Sequence, residues 1–276
     1  MGTTSLFQAP ARFSPLSICL SHSSRQDDIM MPMSKIDADL YRARLTGIFR
    51  KIAADAQRRT ASGARLCVLA TGGLDSSLLA SLLKPLRPHL YFALVRDKSL
   101  RSYNTWSVRR CRALARRLGL QFSAITVTKR DYAKAYVSLR PTLPFVARER
   151  DIAAVAVFFR LIAQRQKHPC LLLSGMGVNE LCSLSARRAR AYYRKKGLAE
   201  IRTHQKLARA CGSSFWAPWL SHGSVRFFTF LPAGLKTDKA FFKKVIADAS
   251  LLPPDFIRQS SRHSSVPSSF LKGLDG

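Results

Sequence analysis

The chain has 276 residues, enough for one large or two small domains, and 47% of them are hydrophobic, so a buried core is expected. It contains 46 Lys and Arg residues against 16 Asp and Glu residues, which gives a net charge of +30. No apolar run reaches the roughly 18 residues that a membrane-spanning helix needs, and this excludes such a span.

The basic excess restricts the partners to be expected. A strong positive field attracts RNA, DNA, anionic membranes and phosphorylated small molecules. The basic residues are spread along most of the chain rather than gathered in one tail. An arginine-biased composition on solvated helix faces therefore remains an alternative explanation of the charge.

The six cysteines stand far apart, without a CxxC pair and without clustering with the six histidines. This spacing favours neither a zinc site nor a disulfide framework. Several cysteines lie in apolar runs, where a reduced thiol behaves as a small core residue. The expected location is a reducing intracellular compartment, cytoplasmic or organellar.

The first 33 residues are predicted to be an extension that precedes one folded domain, residues 34–276. Residues 1–26 contain many Ser residues, no acid, and two Arg residues, Arg12 and Arg25. That composition is typical of an organellar transit peptide. A start codon assigned too far upstream is the equal alternative, because Met30, Met31 and Met33 follow closely.

From Asp37 onward, hydrophobic periodicity predicts alternating helices and strands. The predicted order is a helix beginning at 37, a strand at 66–70, a helix at 75–84, a strand at 90–95, an Arg-rich amphipathic helix at 106–119, a strand at 121–127, a short helix at 131–137, a proline loop at 141–144, a long helix at 149–167 and a strand at 170–177. Everything after Asn179 is predicted to be helical. The fold class is therefore α/β, a parallel twisted sheet with flanking helices and a helical C-terminal half.

The segment ATGGLDSS, residues 70–77, joins the first predicted strand to the next helix. Glycines allow an anion to approach the free amides of a helix N-terminus, and Ser76 and Ser77 add hydroxyl donors. Asp75 would repel a bare phosphate unless a magnesium ion lay between them. The segment thus favours a pyrophosphate–metal site, with an ordinary glycine turn and helix cap as the even alternative.

The segment LLLSGMGVNE, residues 171–180, also follows a predicted strand. Because ligands collect at the carboxyl ends of parallel strands, the two glycine segments are expected to face one crevice. Neither the GxxxxGK[ST] pattern nor the GxGxxG pattern occurs, so the commonest nucleotide-binding motifs are excluded.

Three segments in order resemble the synthetase domain of asparagine synthetases, a branch of the PP-loop ATP pyrophosphatases. TGGLDSS (71–77) is similar to the SGGxDS signature, with Thr71 replacing the first Ser, and LLLSGMGVNELC (171–182) is similar to LLSGxGADELF. FWAPWL (215–220) is similar to R-x-PFLD, and residues 230–257 are similar to LP…K…K-x-ILR-x-A…LP-x-x-I. The resemblance runs from about residue 37 to residue 272. It implies a short stand-alone type, because Gly2 stands where the family's glutaminase domain has its cysteine nucleophile.

The resemblance implies that the chain adenylates a carboxylate, such as aspartate or a related acid, with ATP and Mg²⁺, and then transfers an amine to it. Ammonia would arrive free, come from a separate glutaminase, or be replaced by another amine. The implied catalytic residues are Asp75 and Glu180, and the implied metal ligands are Asp75 and Asn179. The implied nucleotide-binding residues are Thr71, Gly72, Gly73, Asp75, Ser76, Ser77, Ser174, Gly175, Arg258 and Arg262.

The chain departs from the family at several of these positions. Met176 stands where an acid is common, Asn179 replaces a magnesium-binding Asp, and Ser221 replaces the Asp of PFLD. An uncharged amide ligand lowers the affinity for a hard cation. These changes imply an altered substrate or a weakened activity.

Two further functions remain open at this point. The basic stripes RRCRALARR (109–117) and RRARAYYRKK (187–196) favour a PP-loop enzyme that modifies tRNA, with Tyr192 and Tyr193 available for base stacking. Met176 and Asn179 favour an ATP-binding protein without synthetase activity. Solvated helix faces are the simpler interpretation of each stripe.

Overall fold

The structure is a computed structural model that describes residues 35–96, 104–139, 149–166 and 168–258. In this part of the chain five strands form a single sheet. The strands are β1 Arg65–Leu69, β2 His89–Arg96, β3 Phe122–Thr128, β4 Cys170–Ser174 and β5 Ser214–Trp216. Strands β1 and β4 are almost wholly apolar because helices cover both faces of the sheet.

Twelve α-helices lie in the described ranges. They are α1 Lys35–Thr60, α2 Leu74–Leu82, α3 Thr105–Leu118, α4 Lys129–Leu139, α5 Glu149–Arg165, α6 Val178–Ser183, α7 Ala186–Tyr192, α8 Leu198–Ala210, α9 His222–Phe230, α10 Ala233–Lys236, α11 Ala240–Asp248 and α12 Pro254–Arg258. A π-helical turn, Tyr193–Gly197, joins α7 to α8, and a 3-10 turn, Thr237–Lys239, joins α10 to α11. None of these helices is both long enough and apolar enough to cross a membrane.

The strand order is β3-β2-β1-β4-β5, and every neighbouring pair is parallel. The chain moves outward from β1 through β2 to β3, then returns to the other side of β1 to form β4 and β5. The order in which the chain adds strands therefore reverses between β1 and β4, although the two strands are parallel. Such a switch point opens a crevice at the carboxyl ends of the two strands. Leu69 pairs with Ser174, so β1 and β4 end at the same level.

Helix α1 packs on the core through one face, which includes Leu45, Ile52 and Ala56 of the periodic pattern in the sequence, while Ile48 of that pattern is only half-buried. Leu45, Phe49, Ile52 and Ala56 are buried along this face. The Phe49 ring meets the ring of Trp219 edge-on at 6.0 Å. Helix α1 therefore ties the C-terminal helices to the sheet.

The predicted fold class is confirmed, with two corrections. The C-terminal half is not entirely helical, because the three residues of β5 pair with β4; so short a strand shows no periodicity in the sequence. The Arg-rich face of α3 is not wholly solvated either, because Arg110 is only 7% exposed. The predicted loop at 141–144 lies outside the described residues.

Candidate functional site

A cavity of about 760 Å³ lies where β1 and β4 end. Its walls come from the loop after β1 with the first turn of α2, the loop after β4, and helices α6, α10, α11 and α12 with their connections. The lining residues are Thr71, Gly73, Leu74, Asp75, Ser76, Ser174, Gly175, Met176, Asn179, Cys182, Ser183, Lys236, Asp238, Lys239, Lys243, Ile257 and Arg258. The sequence-predicted crevice between the two glycine segments is therefore present.

The loop after β1 is shaped by its own hydroxyl groups. Ser76 Oγ lies 3.0 Å from Thr71 Oγ1 and accepts a hydrogen bond from the Thr71 N–H at 3.2 Å. The Gly73 N–H donates to Thr71 Oγ1 at 3.2 Å. Threonine thus supplies the hydroxyl that the family's first serine would supply, and the loop closes back on the first turn of α2.

The loop after β4 lies directly against this first loop. A Cβ atom added to Gly175 would be 2.7 Å from the backbone nitrogen of Ser76 and 3.0 Å from the carbonyl carbon of Asp75. Only a residue without a side chain allows this approach of two backbones. Gly175 therefore closes the seam between the two glycine segments, and a single ligand can contact both.

Asp75 and Lys239 form an ion pair inside the cavity. Lys239 Nζ donates to Asp75 Oδ1 at 2.7 Å and to Asp75 Oδ2 at 2.9 Å. The side chains are 11% exposed for Asp75 and 15% exposed for Lys239. Burial raises the pKa of the Asp75 carboxyl, Lys239 opposes that rise, and the nearby Glu180 adds to it.

The ion pair places a positive charge where the sequence predicts a magnesium ion, next to the Asp75 carboxylate. The described residues hold no group of three or more acidic, histidine or cysteine side chains suited to a metal. Asn179 brings no charge, and both oxygens of Asp75 are taken by Lys239. A divalent ion bound to Asp75 would also lie close to the Lys239 ammonium, whose positive charge repels it. The side chains in this arrangement do not fit a magnesium ion held at Asp75.

The remaining predicted site residues divide into two groups. The predicted residues on the cavity wall are Thr71, Gly73, Asp75, Ser76, Ser174, Gly175, Asn179 and Arg258. Four predicted residues lie elsewhere or beyond the described ranges, for different reasons. Gly72 packs against the backbone of Ser107, Ser77 is buried at 2% exposure, Glu180 is half-buried on α6 off the lining, and Arg262 is outside the described residues.

The lysines of the cavity were missed as site residues by the sequence analysis. Lys236 is buried and donates to the carbonyl oxygens of Leu184 at 3.2 Å and Thr229 at 3.3 Å. Lys239 is the residue just before α11, Lys243 lies in the first turn of α11, and both line the cavity. The K…K of the resemblance at residues 230–257 was a signal for lysines in this region, but only the folded chain brings them to the glycine loops.

The comparison with protein families finds one match. A family described as asparagine synthase matches residues 49–223. This range includes both glycine loops and ends at the start of α9, before α10 and the cavity lysines. No curated protein matches the chain.

Solved structures similar to this chain share little sequence with it. One is a predicted subunit of a tRNA methyltransferase from Methanocaldococcus jannaschii, 16% identical, covering 72% of this chain and 94% of that chain, with a TM-score of 0.33. A U34-tRNA thiolase from Methanococcus maripaludis with its [4Fe-4S] cluster is 12% identical, covering 84% and 79%, with a TM-score of 0.43. An NMN synthetase from Francisella tularensis is 9% identical, covering 80% and 89%, with a TM-score of 0.35. Likeness at this level gives no information on the activity of the present chain.

Proposed function

The chain belongs to the asparagine synthase family, and on that premise we propose that it is an ATP-dependent amide-forming ligase. A carboxylate oxygen of an acidic substrate attacks the α-phosphorus of ATP, which forms an acyl-adenylate and releases pyrophosphate. An amine nitrogen then attacks the acyl carbon, which forms the amide and releases AMP and a proton. Aspartate or a related acid is the proposed acyl substrate.

One observation carries this proposal: the seam between the two glycine loops at the switch point of the sheet. Gly175 packs against the first turn of α2, and the cavity beside this seam is lined by hydroxyl and cationic side chains. Backbone amides at a helix start favour bound phosphate. The volume of about 760 Å³ suits a nucleotide together with a small acid.

Positioning and charge neutralisation would supply most of the rate enhancement. The loop around Gly73 and Ser76 would hold the β- and γ-phosphates. Lys239, Lys243 and Arg258 would neutralise the charge that develops on pyrophosphate. Ser174 and Gly175 would line the nucleotide or acyl side, and Asp75 would hold the Lys239 ammonium in place.

The nitrogen source belongs to the same proposal. Free ammonia, a small amine or ammonia from a separate glutaminase are the proposed donors. Met176 and Asn179 line the cavity and stand where the resemblance implies acidic residues, so we propose that they alter the choice of acid.

The test measures pyrophosphate release by the full chain with ATP, Mg²⁺, ammonia and a panel of carboxylic acids that includes aspartate. We expect release that depends on one of the acids, and a loss of about 100-fold or more in kcat for Asp75→Asn. The exposed Asp39 on α1 supplies the control variant Asp39→Asn, which should keep the rate.

Other outcomes of this test separate the alternatives. Release that requires added tRNA instead of an acid would replace the proposal with RNA modification. ATP binding without release, with every acid in the panel, would leave an ATP-binding protein and defeat the ligase proposal.

A further inference from the structure

We propose that the Lys239 ammonium takes the place of a divalent metal ion beside Asp75, so that this chain binds the nucleotide triphosphate without needing Mg²⁺. The inference rests on the proposed function in one respect, namely that the ligand is ATP. It adds a specific cation and a changed metal requirement.

The first argument is the geometry of the pair. The Lys239 ammonium contacts both oxygens of the Asp75 carboxylate, at 2.7 and 2.9 Å. A metal-binding aspartate in this loop would offer one of these oxygens to the ion. Here the position next to the carboxylate already holds a fixed positive charge.

The second argument is how Lys239 is held. It lies at the end of the 3-10 turn and is the N-cap residue of α11, with a left-handed backbone of φ 57°. The helix that follows is anchored in the core by Phe242, 1% exposed, and Val245, 2% exposed. The lysine stem therefore starts from a fixed point, and the ammonium reaches Asp75 from across the cavity.

The third argument is the charge of the cavity wall. Its described lining has four cationic side chains, Lys236, Lys239, Lys243 and Arg258, against the two acids Asp75 and Asp238. The resemblance implies a metal-binding Asp at position 179, where this chain has the uncharged Asn179. A wall that is already net positive neutralises a polyphosphate directly.

The decisive measurement is the affinity of the full chain for AMP-PNP, an ATP analogue with a non-hydrolysable β–γ bond, by calorimetry in EDTA and in excess Mg²⁺. We expect dissociation constants that differ by less than tenfold. A loss of tenfold or more in EDTA would overturn the inference and leave the proposed function intact. Absence of binding under both conditions would overturn both.

A pair of variants distinguishes a lysine that replaces the metal from one with only a structural role, because only the first should change the ratio of affinities in EDTA and in Mg²⁺. Lys239→Gln frees the Asp75 carboxylate, so we expect it to gain a Mg²⁺ requirement, with affinity in EDTA at least tenfold below that in Mg²⁺. Lys243→Gln removes one charge from the same wall and should weaken binding equally under both conditions. An unchanged EDTA-to-Mg²⁺ ratio in Lys239→Gln would overturn the inference.

The double variant Lys239→Gln, Asp75→Asn removes the carboxylate that would otherwise be left buried and unpaired. It should lose the acquired Mg²⁺ requirement. A requirement that persists in the double variant would place the metal elsewhere and also overturn the inference. Where Lys239→Gln fails to fold, the wild-type comparison decides alone.

Discussion

Gly175 sets the distance between the two loops of the cavity. A Cβ added to Gly175 would meet the Ser76 nitrogen and the Asp75 carbonyl carbon, and both are backbone atoms. Backbone atoms cannot turn aside as the end of a flexible side chain can. The seam is therefore intolerant of even one added methyl group.

Gly175→Ala should lower the free energy of unfolding by about 1 to 3 kcal/mol, because an added carbon in a packed site forces the backbone to move. It should also weaken nucleotide binding, since the two loops separate. Thermal unfolding and calorimetry with AMP-PNP measure these effects. Gly223 lies in α9 and has no atom within 4 Å of an added Cβ, so Gly223→Ala is the control: it should keep the affinity and should not lower Tm, because Ala favours a helix more than Gly does. If Gly175→Ala has the same Tm and the same affinity as this control, the two loops are not in the tight backbone contact described here.

His89 lies at the start of β2, at the end of the sheet opposite the cavity. Its ring stacks on Tyr91 with centroids 4.2 Å apart, and its Nε2 lies 2.9 Å from Ser123 Oγ. Burial, with a smaller contribution from Arg65, lowers the pKa of His89 from 6.5 to about 4. The folded state thus keeps this ring neutral where the unfolded state protonates it.

The free energy of unfolding should therefore fall as the pH is lowered from about 6.5 to about 4, because the unfolded chain binds the extra proton in this window. Below about 4 the contribution of His89 is constant. Urea unfolding at several pH values measures the slope, and His89→Gln should make it shallower. The exposed His222 provides the control, since His222→Gln should keep the wild-type slope. Equal slopes in all three proteins would contradict the assignment.

At the scale of elements, α12 reaches the cavity because α3 holds it. Arg110 donates to the carbonyl oxygen of Asp255 at 3.2 Å and to that of Phe256 at 2.6 Å. Its guanidinium also lies 4.4 Å from the centre of the Phe256 ring. This contact fixes the helix that carries Arg258 to the wall.

Arg110→Lys should cost about 1 to 3 kcal/mol of unfolding free energy, because one ammonium cannot replace a planar fork that reaches two carbonyl groups. It should also reduce the nucleotide affinity, as Arg258 loses its support. Denaturation and calorimetry measure the two effects. The neighbouring Arg109 is exposed, so Arg109→Lys should change neither. If both variants behave alike, Arg110 does not anchor α12.

The whole molecule has a net charge of +30, and many of the basic side chains that the structure describes are exposed. On α7 and the turn after it, Arg187, Arg188, Arg190, Arg194 and Lys195 are all exposed. The stacking role predicted for Tyr192 is less favoured, because it is half-buried and its hydroxyl donates to Glu200 at 3.5 Å. The phosphate-binding part of the RNA interpretation stays a prediction.

If this surface meets phosphates, binding to total tRNA should weaken steeply as salt rises. Replacing Arg187, Arg188 and Arg190 by Gln should then reduce the slope of log K against log salt by about 2, since each lost phosphate contact removes its released counterion. A matched loss of Arg44, Arg50 and Lys51, exposed on α1, should change the slope less. A shallow wild-type slope, or equal effects of the two triple variants, would remove RNA as a specific partner of α7.

How much of the molecule was predictable differs between elements. Helix α1 and the first four strands can be predicted from the local pattern of apolar residues. An element that buries one or both of its faces needs apolar residues at regular positions, and these are visible in the sequence. Strand β5 does not, because three residues carry too little pattern and pair only through the edge that β4 offers. Arg110 was predicted to be solvated like its neighbours on α3, and this was wrong. Its burial depends on contacts with α12, which lies far away in the sequence.

The sequence by itself determined the parallel sheet, the two glycine loops at its carboxyl edge and the family. These properties can be recognised from the sequence because each depends on a short run of consecutive residues. Only the tertiary structure decided that Lys239 lies against Asp75, far apart in the chain, and that Ser77 and Gly72 lie off the wall. Which cation meets a given carboxylate depends on how separate helices pack, and no short segment encodes that distance.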